Sequence, residues 1–233
     1  MQSNALRLAW GVGGRGRILE AVIEANAKGL LTTKPALVIV SAPSAIEAVA
    51  SRCGVASQLI EGGRGKAPEA FHDAFAAALA AHRIDWLGLT FDKLLAERTI
   101  DVLQGRIFNV HMSLLPLFPG FGAVRKALGS GMRVAGVTVH MVGAGMDDGP
   151  ILGQAIAPIL AGDAETTLGR RLFERAVPLA LQVVRAIERG ELTLDGKRQP
   201  RWAAWDRVDG SCFAPSLDQD LVDFAQAFCG RCA

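Results

Sequence analysis

Short apolar runs alternate with stretches of helical periodicity along the first half of the chain. The runs that predict buried β-strands are residues 6–10, 36–41, 56–60, 86–91 and 106–110. The helical patterns between them are residues 18–27, 44–52, 69–82 and 94–103. Strands joined through helices pair in parallel, because each crossover returns the chain to the same end of the sheet. The alternation therefore predicts an α/β fold, with a Rossmann-like, mostly parallel twisted sheet and helices on both faces.

The pattern changes in the second half of the chain. Residues 122–128 predict a short helix, and residues 166–189 predict a long helix that ends at Gly190. Residues 134–142 and 151–159 predict two strands joined by a loop rich in Gly and Asp. Two such strands pair antiparallel, so an antiparallel edge is expected near the C-terminal part of the sheet. Residues 191–233 show no clear period, and Trp202 and Trp205 are expected to anchor them.

The composition is that of an ordinary soluble protein. Half of the 233 residues are apolar, 21% are charged, and the net charge is +2. This balance favours neither a nucleic acid nor another polyanion as a partner. No apolar run approaches the roughly 18 residues that span a bilayer, so no membrane partner is expected. A short apolar start interrupted by Arg7 does not resemble a signal peptide, so a cytoplasmic location is expected.

The four cysteines are too few for a disulfide scaffold, which also favours a reducing compartment. Cys229 and Cys232 form a C-x-x-C pair near the end of the sequence. A redox or metal role for the pair would need a helix start or a second Cys/His pair, and neither is evident in the sequence. The role of Cys229 and Cys232 stays open.

An amide, an imidazole and a carboxylate stand next to apolar runs. Asn109 lies at the end of the fifth predicted strand, His111 follows that strand, and Asp147 lies in the loop between the two later strands. An amide can hold an oxyanion, an imidazole can carry a proton, and a carboxylate can accept the proton of an amine. Taken singly, each residue has a structural explanation as a turn former or a buried polar group. Together they suit acyl or formyl transfer to an amine.

A glycine-rich loop follows the first predicted strand and opens the first helix. Residues 11–16 formally satisfy the G-x-G-x-x-G pattern of dinucleotide-binding enzymes. That pattern also requires an acidic residue at the end of the second strand, to bind the ribose. The second strand ends without Asp or Glu. A nicotinamide-dinucleotide-binding oxidoreductase using Gly11–Gly16 is therefore kept only as an alternative function.

Three segments resemble the folate-dependent formyltransferases, and the phosphoribosylglycinamide (GAR) formyltransferases most of all. They are the N-x-H-x-S-L-L-P stretch at 109–116, the G-V-T-V-H strand at 136–140 and the D-D-G-P turn at 147–150. The resemblance runs from about residue 6 to about residue 190. It implies the formyltransferase fold, with residues 1–190 as the catalytic domain and residues 191–233 as a C-terminal extension packing on the same domain. It also implies a monomer or homodimer that serves purine biosynthesis.

The resemblance implies direct formyl transfer from 10-formyltetrahydrofolate, as co-substrate and without a metal, to a primary amine of a small phosphorylated acceptor. The catalytic residues would be Asn109, His111 and Asp147, with His140 in contact with them rather than with substrate. The residues implied for the folate donor are Phe91, Lys93, Leu94, Leu95, Ile107, Val142 and Asp147. Those implied for the acceptor are Gly13, Gly14, Arg15, Gly16, Arg17, Met112 and Glu174.

The sequence departs from the family pattern in both the donor segment and the acceptor segments. Met112 replaces the usual Pro beside His111, Asp92 is new in the donor segment, and Glu174 matches the family's acidic residue only with a shift. Arg15 and Arg17 could bind an anion or could simply be solvated. A different amine, such as an amino sugar, is therefore kept as an alternative acceptor. A non-catalytic binding module of the same fold is less favoured, because all three catalytic residues are present.

Overall fold

The computed structural model describes residues 6–62, 67–91, 93–143, 145–206 and 212–231. The chain forms two compact units. The first comprises Met1–Asn109 and Val142–Gly145, and the second comprises Val110–Met141 and Met146–Ala233. The expected boundary at residue 190 lies inside the second unit, so the division at that residue stays a prediction. None of the helices in the described residues is long and apolar enough to cross a membrane.

The first unit contains a parallel sheet in the order β5-β4-β1-β2-β3. Its strands are β1 (Leu8–Val12), β2 (Pro35–Val40), β3 (Ala56–Leu59), β4 (Trp86–Thr90) and β5 (Ile107–His111). Its helices are α1 (Arg17–Ala27), α2 (Ile46–Arg52), α3 (Glu69–Ala81) and α4 (Glu97–Val102). The α/β class and the mostly parallel sheet are confirmed. The fourth helix is shorter than predicted and begins at Glu97.

The central strands of this sheet are apolar on both faces because helices cover both faces. Gly88 on β4 is paired with Trp10 on β1 and with Phe108 on β5. A Cβ atom at Gly88 would lie 2.7 Å from the Trp10 ring and 2.9 Å from that of Phe108. Because Gly88 has no side chain, the two rings meet edge to face, with centroids 5.6 Å apart. The two rings fill the space beside Gly88 in this register, and β5 is the strand that carries Asn109 and His111.

The second unit is built on antiparallel strands and one long helix. Its elements are α5 (Ala123–Gly129), β6 (Val134–Met141), β7 (Ile151–Pro158), α6 (Glu165–Glu188), β8 (Leu192–Leu194), β9 (Pro200–Trp202), a short 3-10 helix (Ala203–Asp206), β10 (Phe213–Ala214) and α7 (Gln219–Gly230). Strand β7 pairs antiparallel with β6 and with β10, and β8 pairs with β9. The antiparallel edge is thus confirmed.

The C-terminal segment is more regular than the sequence analysis expected. Helix α7 buries Leu221, Phe224, Ala225, Phe228 and Cys229, which recur at helical spacing. The expectation that this segment lacks a period is therefore wrong for α7. Both tryptophans contact the unit: Trp202 is buried, and Trp205 Nε1 donates a hydrogen bond to the Leu152 carbonyl at 2.8 Å. Cys232 lies outside the described residues.

A charged cluster joins α7 to α6. The buried Arg185 guanidinium on α6 donates to both carboxylate oxygens of Asp220, at 2.6 Å each, and to Asp218 at 2.9 Å. Gln182 Oε1 accepts the Asp218 backbone N–H at 2.8 Å. The hydrogen bonds to Asp220 raise the pKa of Arg185 above its ordinary value despite its burial. A two-point arginine–carboxylate pair of this kind fixes orientation as well as charge, so α7 is held on α6 in one register.

We expect Arg185→Ala to lower the free energy of unfolding by about 2–3 kcal/mol, because two partly buried carboxylates lose their partner. Arg189→Ala, at the residue directly after α6, is the matched control. Arg189 is half exposed and no closer than 3.6 Å to its acidic partners, so its loss should cost less than about 0.5 kcal/mol. Urea unfolding followed by circular dichroism measures both variants. Equal effects of the two substitutions would contradict the proposed role of the cluster.

Candidate active site

Strand β5 positions two of the expected catalytic residues. Its buried residues Ile107, Phe108 and Val110 fix the strand in the structure, and Asn109 and His111 are half-buried. The side chains of residues two positions apart on a strand project from the same face, so the two polar side chains lie on one side of β5. Asn109 belongs to the first unit and His111 to the second.

Both ring nitrogens of His111 face hydrogen-bond acceptors within the second unit. Nε2 lies 3.1 Å from the carbonyl oxygen of Phe118, and Nδ1 lies 3.3 Å from Oδ2 of Asp147. The side chain is 11% exposed. A neutral imidazole has only one N–H, so only the doubly protonated ring can donate to both acceptors. His111 thus has a hydrogen-bond acceptor for each ring nitrogen, one of them the carboxylate of Asp147.

The Asp147 carboxylate is bound from three sides. Oδ2 accepts the Gly120 backbone N–H at 2.8 Å, and Oδ1 lies 3.5 Å from Nε2 of the buried His140. His140 in turn contacts its neighbour's carbonyl, since Nδ1 lies 2.9 Å from the oxygen of Met141. Burial raises the pKa of Asp147, but the hydrogen bonds from His140 and Gly120 and the charge on His111 outweigh it and hold that pKa at about 2. Asp147 is therefore a carboxylate throughout the neutral range.

One loop binds both members of the His111–Asp147 pair. The carbonyl of Phe118 faces His111, and two residues later the N–H of Gly120 donates to Asp147. Phe118, Gly120 and Asp147 all have positive φ, at 55°, 75° and 53°. For Phe118 and Asp147 this backbone conformation is uncommon, and it is typical of residues held at functional sites. We call residues 117–122 the clamp loop.

Strand β6 supports the turn that precedes the clamp loop. Thr138 Oγ1 donates to the Ser113 carbonyl at 2.7 Å and accepts the Leu115 N–H at 3.0 Å. Gln154 on β7 donates to Thr138 Oγ1 at 3.1 Å and to the Leu115 carbonyl at 2.8 Å. The sequence analysis did not identify Thr138 and Gln154. The available signal was the two-residue spacing of Thr138 and His140, which places both on one face of a buried strand.

Four of the residues implied for the donor lie together in the first unit. Leu95 and Ile107 belong to its buried core cluster, and Phe91 and Val142 pack against that cluster. The backbone N–H of Val142 donates to the Ile107 carbonyl at 2.9 Å. Of the remaining donor residues, Leu94 is exposed and Lys93 lies beside Gly62. Asp92 lies outside the described residues.

The glycine-rich loop has the form of an anion-binding helix start. Gly16 is the N-cap of α1, and its φ of 70° together with the contact to Ile46 leaves no room for a side chain. Gly13 N–H is already used, because it donates to the Thr90 carbonyl at 2.9 Å. Arg15 is exposed, and Arg17 is the first residue of α1. An anion at this helix start would therefore face residues 14–17 rather than the amide of Gly13.

The acceptor residues of the second unit lie in different surroundings. Met112 is half-buried and directly follows His111. Glu174 is exposed on α6, where its carboxylate lies 3.9 Å from Arg170 one turn earlier. The role of Glu174 in binding the acceptor stays a prediction. In the parts of the chain that the structure describes, no group of three or more His, Cys, Asp or Glu side chains is arranged to hold a metal ion.

Comparison with known proteins identifies the family to which this chain belongs. A family model described as formyl transferase matches residues 6–184. Phosphoribosylglycinamide formyltransferase of Mycobacterium tuberculosis is 39% identical over 130 residues, which are 55% of this chain and 60% of that protein. The trifunctional purine biosynthetic protein adenosine-3 of Gallus gallus is 33% identical over 199 residues, which are 82% of this chain and 20% of that protein.

Among solved structures, glycinamide ribonucleotide transformylase 1 of Symbiobacterium toebii is similar with a TM-score of 0.79. It shares 33% sequence identity, and the match covers 86% of this chain and 95% of that chain. The chain thus belongs to the formyl transferase family, which confirms the resemblance. The matched segment spans about three fifths of the Mycobacterium tuberculosis relative and one fifth of the Gallus gallus protein. The family match does not favour the nicotinamide alternative.

The lowered pKa of Asp147 predicts a pH-dependent contribution to stability. Its pKa falls from 3.8 to about 2 on folding. The contribution is therefore complete above about pH 4 and is lost as pH falls towards 2, with a total of about 2 kcal/mol. We expect the stability difference between the wild type and Asp147→Asn to shrink by about 1 kcal/mol between pH 6 and pH 3.

Urea midpoints at a series of pH values measure this difference. The neighbouring exposed acid supplies the control, Asp148→Asn, which should follow the wild type in parallel across the range. A constant difference between Asp147→Asn and the wild type would mean that Asp147 is not held as a buried, paired carboxylate.

Proposed function

We propose that this chain transfers the formyl group of 10-formyltetrahydrofolate to the primary amine of phosphoribosylglycinamide. The observation that carries the proposal is the His111–Asp147 pair at the end of β5, with each member bound by the clamp loop. The identity to proteins named phosphoribosylglycinamide formyltransferase supports this acceptor. A cytoplasmic location and a monomeric or dimeric state stay predictions.

In the proposed reaction the amine nitrogen attacks the formyl carbon of the donor. A carbon–nitrogen bond forms, and the carbonyl oxygen becomes an oxyanion. The bond between the formyl carbon and N10 of the folate then breaks, and a proton passes from the attacking amine to N10. Tetrahydrofolate and a formamide are the products. Asn109 and His111 leave the same face of β5, where an amide N–H and an imidazolium N–H can stabilise one oxyanion.

His111 must exchange a partner for this step to occur. Nε2 faces the Phe118 carbonyl, and Nδ1 faces Asp147. A developing oxyanion is a stronger acceptor than a neutral carbonyl, because hydrogen bonds between charged groups are shorter and stronger. The oxyanion would therefore displace the Phe118 carbonyl from Nε2. In the absence of substrate the carbonyl keeps the ring in the required orientation.

The contribution of Asp147 is mainly electrostatic. A carboxylate with a pKa of about 2 is a weak base, so it is poorly suited to remove a proton directly from an amine. Its negative charge beside Nδ1 favours the protonated form of His111. Asp147 thus keeps His111 charged for the oxyanion, and it assists proton movement by orienting the groups, or solvent, around the amine.

The proposed donor fits the apolar part of the first unit. The partly exposed Phe91 and Val142 offer an apolar surface over the core, and the neighbouring loop backbone offers hydrogen-bonding groups. The pterin ring of a reduced folate combines apolar faces with polar edges, so it needs both kinds of group. Leu95 and Ile107 are buried, so they would support this surface from below.

The proposed acceptor carries a phosphate, and the start of α1 suits that group. Unpaired N–H groups of a first helical turn and the helix dipole favour an anion. Arg15 and Arg17 would add charge-assisted contacts to it. The amino-sugar alternative is not favoured, because the similar proteins are named for phosphoribosylglycinamide or glycinamide ribonucleotide.

We expect His111→Ala and Asp147→Asn each to lower kcat by at least about 100-fold, because both act on charge that develops in the transition state. Tetrahydrofolate release from 10-formyltetrahydrofolate in the presence of phosphoribosylglycinamide measures kcat. Asp148→Asn removes a neighbouring exposed carboxylate and should keep kcat within about twofold of the wild type. Near-normal kcat in either catalytic-site variant, with the protein folded, would exclude this mechanism.

We expect the double substitution Arg15→Ala and Arg17→Ala to raise KM for phosphoribosylglycinamide by about tenfold, because each charge-assisted phosphate contact contributes roughly 1 kcal/mol or more. KM for the donor should change less than twofold. Arg52→Ala, an exposed arginine at the end of α2 in the same unit, should change neither KM. An unchanged acceptor KM in the double variant would show that the two arginines are merely solvated.

An amine acceptor without any anionic group provides a second test of phosphate binding at the start of α1. If such an amine is turned over as efficiently as phosphoribosylglycinamide, the start of α1 does not bind phosphate. Formyl transfer would then stand with a different acceptor.

A further inference from the structure

Three basic residues are buried in the part of the chain that the structure describes, namely His72, His140 and Arg185. His140 lies against Asp147, and Arg185 joins α6 to α7. His72 lies on α3 in the first unit, and it has no part in the chemistry proposed above. Burying an imidazole costs free energy unless its ring nitrogens have hydrogen-bond partners, so the contacts of His72 indicate what it does.

The His72 ring binds the backbone directly after the proposed donor residues. Its Nδ1 accepts the N–H of Ala96 at 3.2 Å. Ala96 follows Leu95 and is the N-cap of α4. A ring nitrogen that accepts a hydrogen bond carries no proton, so the neutral His72 ring holds its proton on Nε2. The His72 side chain thus fixes the point at which the donor segment, residues 91–95, passes into α4.

Two further contacts hold His72 itself in place. Its ring meets the Phe71 ring edge to face, with centroids 5.4 Å apart. The buried Thr99 on α4 donates a hydrogen bond from Oγ1 to the His72 carbonyl at 3.4 Å. A side chain whose orientation is fixed by its own packing can position another group accurately. His72 is therefore suited to hold the Ala96 N–H in one place.

The other end of the donor segment packs on the same helix. The Phe91 ring stacks on Phe71, with centroids 5.9 Å apart and 16° between the ring planes, and its centroid lies 5.8 Å from that of Phe75. Phe71 and Phe75 are buried on α3. Helix α3 thus supports the donor segment at both ends, through apolar contact at Phe91 and through a hydrogen bond at Ala96. The hydrogen bond depends on the position of a single acceptor atom.

We propose that His72 is a positioning residue for the folate donor, because its Nδ1 holds the Ala96 N–H and so fixes the donor segment in the conformation that binds. This inference rests on the proposed folate donor and adds a residue that acts on it through the backbone, without touching it. A partly buried N–H without an acceptor is unfavourable, so loss of Nδ1 would let the backbone shift towards water. Leu95, directly before Ala96, would shift with it.

The test uses the full chain and 5,10-dideazatetrahydrofolate, a donor analogue that cannot transfer a formyl group. The Oδ1 atom of Asn can take the place of Nδ1, so His72→Asn should keep Kd for the analogue within about twofold of the wild type. His72→Gln carries the same amide one carbon further from the backbone and should raise Kd about fivefold, the effect of one lost hydrogen bond. His72→Leu should behave like His72→Gln.

The matched control removes a different link between the same two helices. Arg98 on α4 is paired with Asp73 at 3.0 Å and with Glu69, both on α3. These ion pairs are exposed and do not involve Ala96, so Arg98→Ala should leave Kd for the analogue unchanged. A general loosening of α4 on α3 would instead raise Kd in Arg98→Ala as well, and that result would overturn the specific role of His72.

Steady-state kinetics separate positioning of the donor from a loss of folded protein. Unfolding of part of the sample lowers the apparent kcat but leaves both KM values unchanged. His72→Gln should instead raise KM for 10-formyltetrahydrofolate about fivefold and keep KM for phosphoribosylglycinamide within about twofold.

Equal Kd values for the analogue in His72→Asn and His72→Gln would overturn the inference, and so would an equal rise in both KM values. A wild type that binds the analogue but does not formylate phosphoribosylglycinamide would refute the proposed acceptor, and the Kd values of the variants would still decide the role of His72. A wild type that does not bind the analogue would refute both the proposed donor and the inference.

Discussion

The proposed chemistry depends on the negative charge of the Asp147 carboxylate and on the contacts that hold it. It lies in a partly buried position that by itself would raise its pKa, yet the N–H of Gly120, the two histidine rings and their charge lower that pKa to about 2. A fixed negative charge results beside Nδ1 of His111. Because this charge lies beside the ring, it is the group that would stabilise a protonated His111 opposite the oxyanion.

The clamp loop orients the side chains of His111 and Asp147. Its Phe118 carbonyl and Gly120 N–H contact the two members of the pair, and positive φ at Phe118 and Gly120 lets one short loop reach both. Thr138 and Gln154 fix the turn from which the loop starts. The orientation of the catalytic groups is thus determined by backbone groups and by buried polar residues on β6 and β7.

Most of the sheet and the identity of the polar residues could be predicted from the sequence. Apolar runs and helical periodicity indicate which residues are buried. Asn109, His111 and Asp147 could be recognised because they are polar residues next to such runs. The contacts of Phe118 and Gly120 could not be predicted, because they are made by a backbone carbonyl and a backbone N–H. Nearly every residue has both groups, so the sequence does not show which of them bind a side chain. Gly120 and Asp147 are 27 positions apart, and only the folded chain shows that they meet. Helix α7 was missed although its buried apolar residues recur at helical spacing, because it follows a segment rich in Trp, Pro and Gly.

In the proposed reaction the formyl group passes directly to an amine. The most direct measurement supplies 10-formyltetrahydrofolate with a carbon-13 formyl group together with phosphoribosylglycinamide, and follows the label by mass spectrometry. We expect labelled N-formyl product in a one-to-one ratio with tetrahydrofolate. Labelled formate released with tetrahydrofolate, without labelled product, would show that water rather than the amine accepts the formyl group and would exclude direct transfer to the amine.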